Sequence, residues 1–92
     1  MAGYRKPVIR KKVSGPSSYS TGGFTVTIGE LESVAGAVIT VESSTFYHPQ
    51  IASISGNTIK VIVYAWDGAA VSEISAGTDL SGVTFHILAW SD

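Results

Sequence analysis

Thr58-Ile59-Lys60-Val61-Ile62-Val63-Tyr64-Ala65-Trp66 and Val83-Thr84-Phe85-His86-Ile87-Leu88-Ala89-Trp90 are the two stretches on which the fold turns. Side chains alternate between the two faces of a strand. In the first stretch Ile59, Val61, Val63 and Ala65 share one face, and Lys60, Ile62, Tyr64 and Trp66 share the other. In the second, Val83, Phe85, Ile87 and Ala89 lie opposite Thr84, His86, Leu88 and Trp90. Each stretch therefore has one wholly apolar face and one that is only partly polar. A strand of a solitary sandwich normally shows water a polar face. Either the chain's own loops, such as residues 30–49, cover the second faces, or another subunit does.

Turn chemistry around the first stretch makes it the middle of a meander. Gly56-Asn57 precedes it and Asp67-Gly68 follows, and both pairs are hairpin signals. Residues 51–55, 58–66 and 69–75 are thus expected to be three consecutive antiparallel strands. Further out, Phe24 to Ile28 alternates after Gly22-Gly23, and Val38 to Ser44 alternates again. Phe46-Tyr47-His48-Pro49 is expected to end that strand, because proline cannot donate to a ladder. Only one short helical turn, within 29–37, has any support, and Gly29 and Gly36 weaken it.

Composition agrees. The chain has 92 residues, of which 27 are Val, Ile or Thr and only 3 are Leu. β-Branched residues favour pleated surfaces. With 45% hydrophobic residues, 14% charged and a mean hydropathy of +0.28, the chain is not of the disordered class. No cysteine is present, which excludes disulfides and thiolate metal sites. No run reaches 18 apolar residues, and no apolar segment follows the basic start, so neither a membrane helix nor a secretory signal is expected.

Charge is split along the chain. Arg5, Lys6, Arg10, Lys11 and Lys12 are five of the six basic residues, whereas residues 13–92 hold Lys60 and all seven acids. The net charge of −1 thus conceals a start of +5 and a remainder of −6. Ser, Gly and Pro dominate from Val13 to Gly23, which reads as a linker or an extended edge. The expected organisation is an extended basic arm and linker over 1–21, then a sandwich over 22–92. Pro7 to Val13 mixes β-formers with charge, which favours a strand added to another chain's sheet edge.

Constellations for chemistry are thin. His48 and His86 stand 38 residues apart, which is not a ligand spacing. Asp67 is explained by turn chemistry. Asp79 sits in a Gly-Thr-Asp loop that lacks the EF-hand ligand series. No Gly-x-Ser-x-Gly elbow follows a strand. No catalytic residue, metal or cofactor is assigned. Basic and aromatic residues do not interleave on residues 22–92, which argues against nucleic-acid binding by the fold.

The pattern Gly23-Phe24-Thr25-Val26-Thr27-Ile28-Gly29, Ala37-Val38-Ile39-Thr40-Val41, Gly56-Asn57-Thr58-Ile59-Lys60-Val61 and Ala76 to Ala89 resembles small all-β accessory domains of tailed viruses. These serve as capsid decoration (cement) proteins and in tail or head fibres. The resemblance covers about residues 22–90. It implies a structural virion part, usually trimeric or of higher symmetry, that reaches its neighbours through an N-terminal arm. The chain departs from the fibre pattern in having no long repetitive shaft.

The expected fold is all-β, an antiparallel β-sandwich (jelly-roll or Greek-key-like) with an extended basic N-terminal arm. The expected function is that of a non-enzymatic virion protein that self-associates and decorates or stabilises a capsid. Arg5, Lys6, Arg10, Lys11 and Lys12 are the expected partner-binding arm. Ile62, Tyr64, Trp66, His86, Leu88 and Trp90 are the expected oligomer interface, in a trimer or larger homo-oligomer. Partners are further copies and a capsid or other virion protein, without nucleic acid or membrane. Location is the virion if the source is viral, and otherwise the cytoplasm as a soluble protein. The alternative is a carbohydrate-binding module, a lectin or fibre tip, in which Trp66, Trp90, Tyr64 or Tyr47 stacks on sugar rings.

Overall fold

Seven strands and no helix make up the described part of the computed structural model, which comprises residues 8–43, 45–66 and 68–91. They are β1 (Val8–Ser14), β2 (Phe24–Thr27), β3 (Gly36–Glu42), β4 (Tyr47–Ser55), β5 (Thr58–Trp66), β6 (Val71–Glu73) and β7 (Thr84–Trp90). All pairings are antiparallel. Sheet A has the order β1-β7-β3, and sheet B has the order β2-β5-β4, with β6 also paired to β5.

The two decisive stretches are the central strands of opposing sheets. Ile59, Val61 and Val63 of β5 and Phe85, Ile87 and Ala89 of β7 are buried against one another's sheets. Burial of each large side chain contributes roughly 1.5–3 kcal/mol. Phe24 of β2 meets Phe85 of β7 across the core, ring centroids 5.4 Å apart. Leu31 and Val34, in the connection between β2 and β3, turn inward and join the same core. No helix forms there; the segment holds a single hydrogen-bonded turn, with Leu31 N–H donating to Ile28 O at 3.1 Å. That loop therefore helps fill the core with two of its own side chains.

The meander is present as β4-β5-β6. Ser55 pairs with Thr58 across a two-residue turn, and Gly56 stands at φ 59 in its first central position. This is the type II′ arrangement, which suits the twist of a hairpin. The strand expected at 51–55 starts earlier, at Tyr47, and runs through Pro49. Proline is tolerated because β4 is an edge and Pro49 lies opposite Val63, whose N–H and C=O both serve partners on the other flank of β5. Ala52 is the extra residue of a bulge between Ile51 and Ser53.

The start of the chain is drawn into the fold. Residues 8–14, expected to lie in an arm, pair with β7 over their whole length, from Val8 opposite Trp90 to Ser14 opposite Thr84. The strand joins this chain's own sheet. Residues 15–23, expected as a linker, pack against the 75–83 loop through Gly15 N–H to Val83 O, Tyr19 N–H to Thr78 O and Leu80 N–H to Pro16 O. The part of the arm before Val8, with Arg5 and Lys6, lies outside the described residues.

Tyr19 closes a gap in sheet B. Because β4 covers one flank of β5, β2 and β6 share the other, and neither pairs with Ile62 or Val63. The Tyr19 side chain enters there, 1% exposed. Its Oη accepts the Val63 N–H at 3.2 Å and donates to Glu73 Oε2 at 2.7 Å. The Gly22 N–H donates to the same carboxylate oxygen at 2.7 Å. Burial, then the bond to Glu73, push the Tyr19 phenol up to about 12. The Tyr19 and Gly22 bonds hold the Glu73 carboxyl below its ordinary range.

Candidate functional site

Because β5 and β7 lie in opposing sheets, their second faces point away from each other. The six residues expected to form one interface are divided. Ile62, Tyr64 and Trp66 lie on the outer face of sheet B, and His86, Leu88 and Trp90 lie on the outer face of sheet A. Alternation within each strand is as read from the sequence. Their pairing into one patch required the two strands to be neighbours in one sheet, and they are not. The 30–49 segment leaves side chains of both faces exposed.

Sheet A's outer face is a grid fixed by register. Its successive rows, from β1 across β7 to β3, are Val8–Trp90–Gly36, Arg10–Leu88–Val38, Lys12–His86–Thr40 and Ser14–Thr84–Glu42. Trp90 is half-buried because its indole lies over Gly36, where a Cβ would come within 2.5 Å of the ring. Val38 is 51% exposed and Leu88 39%. Arg10, Lys12, Val38, Thr40, His86 and Leu88 surround a groove of about 600 Å³. His86 Nε2 lies 3.0 Å from Glu42 Oε1, and this contact holds the Glu42 carboxyl below its usual range. Among the described residues, neither Arg10 nor Lys12 has a carboxylate within 4 Å, although the Lys12 charge also helps to lower the Glu42 carboxyl. Lys11 points the other way and reaches Glu30 at 3.3 Å.

Sheet B's outer face carries the second groove, of about 530 Å³, lined by Phe46, His48, Gln50, Tyr64, Trp66 and Val71. His48 stands opposite Tyr64, and Val71 opposite Trp66. Phe46 is 77% exposed and Trp66 53%. Tyr47, its side chain on the inner face, packs against the core. Of the four aromatics expected to meet a sugar, only Tyr64 and Trp66 therefore share a groove.

No family model, curated protein or solved structure matches this chain.

Sequence reasoning missed Phe46, His48, Gln50 and Val71 on sheet B, and Val38 and Thr40 on sheet A. The first three were hidden by treating Pro49 as a break, since continuing the strand through it puts His48 and Gln50 on one face. Asp79 is held by local turn chemistry, its Oδ1 accepting from Ser81 N–H at 2.9 Å and Ser81 Oγ at 2.6 Å. That bonding lowers its carboxyl below the ordinary range.

Proposed function

We propose that this protein is a non-enzymatic structural component, a self-associating β-sandwich of the kind that decorates or stabilises a capsid. The grid on sheet A carries the reading, because it is self-complementary. Basic side chains occupy the β1 column, Leu88 and Trp90 the centre, and Glu42 the β3 column. A two-fold axis parallel to β7 lays the β1 column of one copy over the β3 column of its partner. Leu88 then meets the same residue of the second copy. Lys12 comes within one step along the strand of the opposing Glu42, and Arg10 covers Val38.

Area limits the strength of this contact. Three strands about 4.8 Å apart and seven residues of about 3.3 Å each cover roughly 14 by 23 Å. That is about 330 Å², under half of the roughly 800 Å² per partner of a standard stable interface. Association through this face alone is concentration-dependent, and a larger assembly draws on further surface.

The capsid part of the proposal rests on the resemblance of residues 22–90 to small all-β accessory domains of tailed viruses. In strand order, β1 pairs with β7, as the first and last strands of a rolled-up antiparallel ribbon do, whereas β2 pairs with β5 rather than β6 and β3 also pairs with β7. The order therefore shares only its outermost pairing with the jelly roll that capsid and lectin domains use.

Sedimentation velocity from about 10 μM to about 1 mM tests self-association. The expected result is a monomer that shifts to dimer or larger across that range. Leu88→Glu, at an exposed position, keeps the far-ultraviolet circular dichroism of the parent and stays monomeric. A parent protein that is monomeric throughout, or a Leu88→Glu variant that still associates, overturns the proposal.

A further inference from the structure

We infer that the groove over sheet B is a binding site for an uncharged oligosaccharide. Three observations on the same six residues carry this. Phe46, Tyr64 and Trp66 supply three aromatic rings, two of them more than half exposed. Rings of this kind offer flat apolar area to the C–H face of a pyranose while remaining tolerant of water. The polar atoms of His48, Gln50 and Tyr64 are uncommitted: no hydrogen bond joins any of them to another side chain among the described residues. They provide an imidazole, an amide with both donor and acceptor, and a phenol that does both. That mixture suits hydroxyl groups, which are donors and acceptors at once.

The third observation concerns charge. None of the six lining residues is Asp, Glu, Lys or Arg. Phosphate, sulfate and sialic acid would find no lysine or arginine there, whereas the cationic side chains Arg10 and Lys12 border the other groove, on sheet A. A groove of about 530 Å³ lies within the roughly 300–1,000 Å³ usual for small-ligand sites. Its three strands β4, β5 and β6 span about 10 Å, close to the length of a disaccharide. A purely apolar ligand would leave the three polar tips unpaired on burial, which costs affinity.

The site is independent of the association proposed for sheet A, since the two faces point in opposite directions. The probes are an array of neutral and acidic glycans, followed by maltotriose, cellotriose and tri-N-acetylchitotriose in amide chemical-shift titrations. The expected result is saturable binding of at least one neutral glycan, with Kd of about 0.1–1 mM and shifts centred on His48, Tyr64, Trp66 and Val71. Trp66→Ala weakens that binding about tenfold. Leu88→Glu leaves it unchanged. No binding of any neutral glycan overturns the inference. So does binding confined to acidic glycans, or binding that survives Trp66→Ala. If Trp66→Ala instead abolishes self-association, the groove is covered by a second copy and the inference also fails.

Discussion

Replacing Tyr19 by Phe removes one oxygen from the centre of the fold and should be costly. The ring remains, so no cavity forms. What is lost is the acceptor of the Val63 N–H and the donor to Glu73. A buried N–H left unsatisfied costs about 1–3 kcal/mol, and a hydrogen bond to a charged group contributes about 1.5–3 kcal/mol. The two are coupled through one atom, so the expected loss is about 2–4 kcal/mol rather than their sum. For a chain of this size that corresponds to a fall in Tm of roughly 10–25 °C. Urea unfolding at pH 7, followed by tryptophan fluorescence, reads the change as a lower midpoint with an unaltered slope. Alkaline pH gives a second reading. The native phenol titrates near 12, and the unfolded one near its ordinary value of 10.0. Between these values the unfolded state sheds a proton that the native state keeps, so stability declines as pH rises. Stability from this group is complete below pH 10 and is lost progressively as pH rises through 12, by roughly 2–3 kcal/mol in all. Tyr19→Phe should abolish that decline. A variant within about 0.5 kcal/mol of the parent at pH 7, or one that keeps the alkaline decline, would show that Tyr19 merely fills space.

Acid should act on the same cluster from the other side. The Glu73 carboxyl is held low, so its contribution is present above the ordinary carboxylate range and disappears as pH falls through its native value. An acid titration of Glu73→Gln by circular dichroism should show a shallower loss than the parent, and an identical curve would contradict this. Gly23→Ala faces a double obstacle, φ +108 and a Cβ that would meet the Val61 carbonyl oxygen. It should lower stability by at least about 1–3 kcal/mol in urea unfolding. Gly36→Ala should displace the Trp90 indole and cost about 1–3 kcal/mol, with a red shift in tryptophan emission as the ring gains water. By contrast, Lys11→Ala removes an exposed ion pair with Glu30 and should change stability by no more than about 1 kcal/mol.

Local patterns in this sequence are legible because they depend on near neighbours. Alternation in 58–66 and 83–90 marks both central strands and their inner faces, and Gly56-Asn57 marks a hairpin that forms where expected. Sheet membership depends on contacts far apart in the chain. Nothing in residues 58–66 or 83–90 states that β5 pairs with β2 and β4 while β7 pairs with β1 and β3. That is why Ile62, Tyr64 and Trp66 lie on one outer face and His86, Leu88 and Trp90 on the other. The basic start illustrates a different failure. Arg10 and Lys12 look like a tail because they are charged, but alternation places them on the solvent side of an edge strand whose Ile9 and Val13 pack against the core. Charge on an edge strand also protects it from unwanted pairing. The Tyr19 cluster had no local signal at all. Its members at 19, 22, 63 and 73 meet only because β2 and β6 leave two residues of β5 unpaired.

A small sandwich whose two central strands are both apolar outward has two surfaces to account for, and opposite orientation makes them separable. Were both faces covered by copies of the chain, single substitutions on either should dissolve the same assembly in steps. If instead sheet A associates and sheet B binds sugar, the effects should cross cleanly. Leu88→Glu then yields a monomer whose glycan titration matches that of the parent. Trp66→Ala yields the parent's sedimentation profile with glycan binding weakened about tenfold. Leu88 and Trp66 stand on different sheets with the core between them, so their effects on stability should also add within about 0.5 kcal/mol. A double variant measured against both single variants decides the matter in one series. Strong non-additivity, or loss of both properties in either single variant, would mean that the faces are joined through the assembly and that the division of labour drawn from their chemistry is wrong.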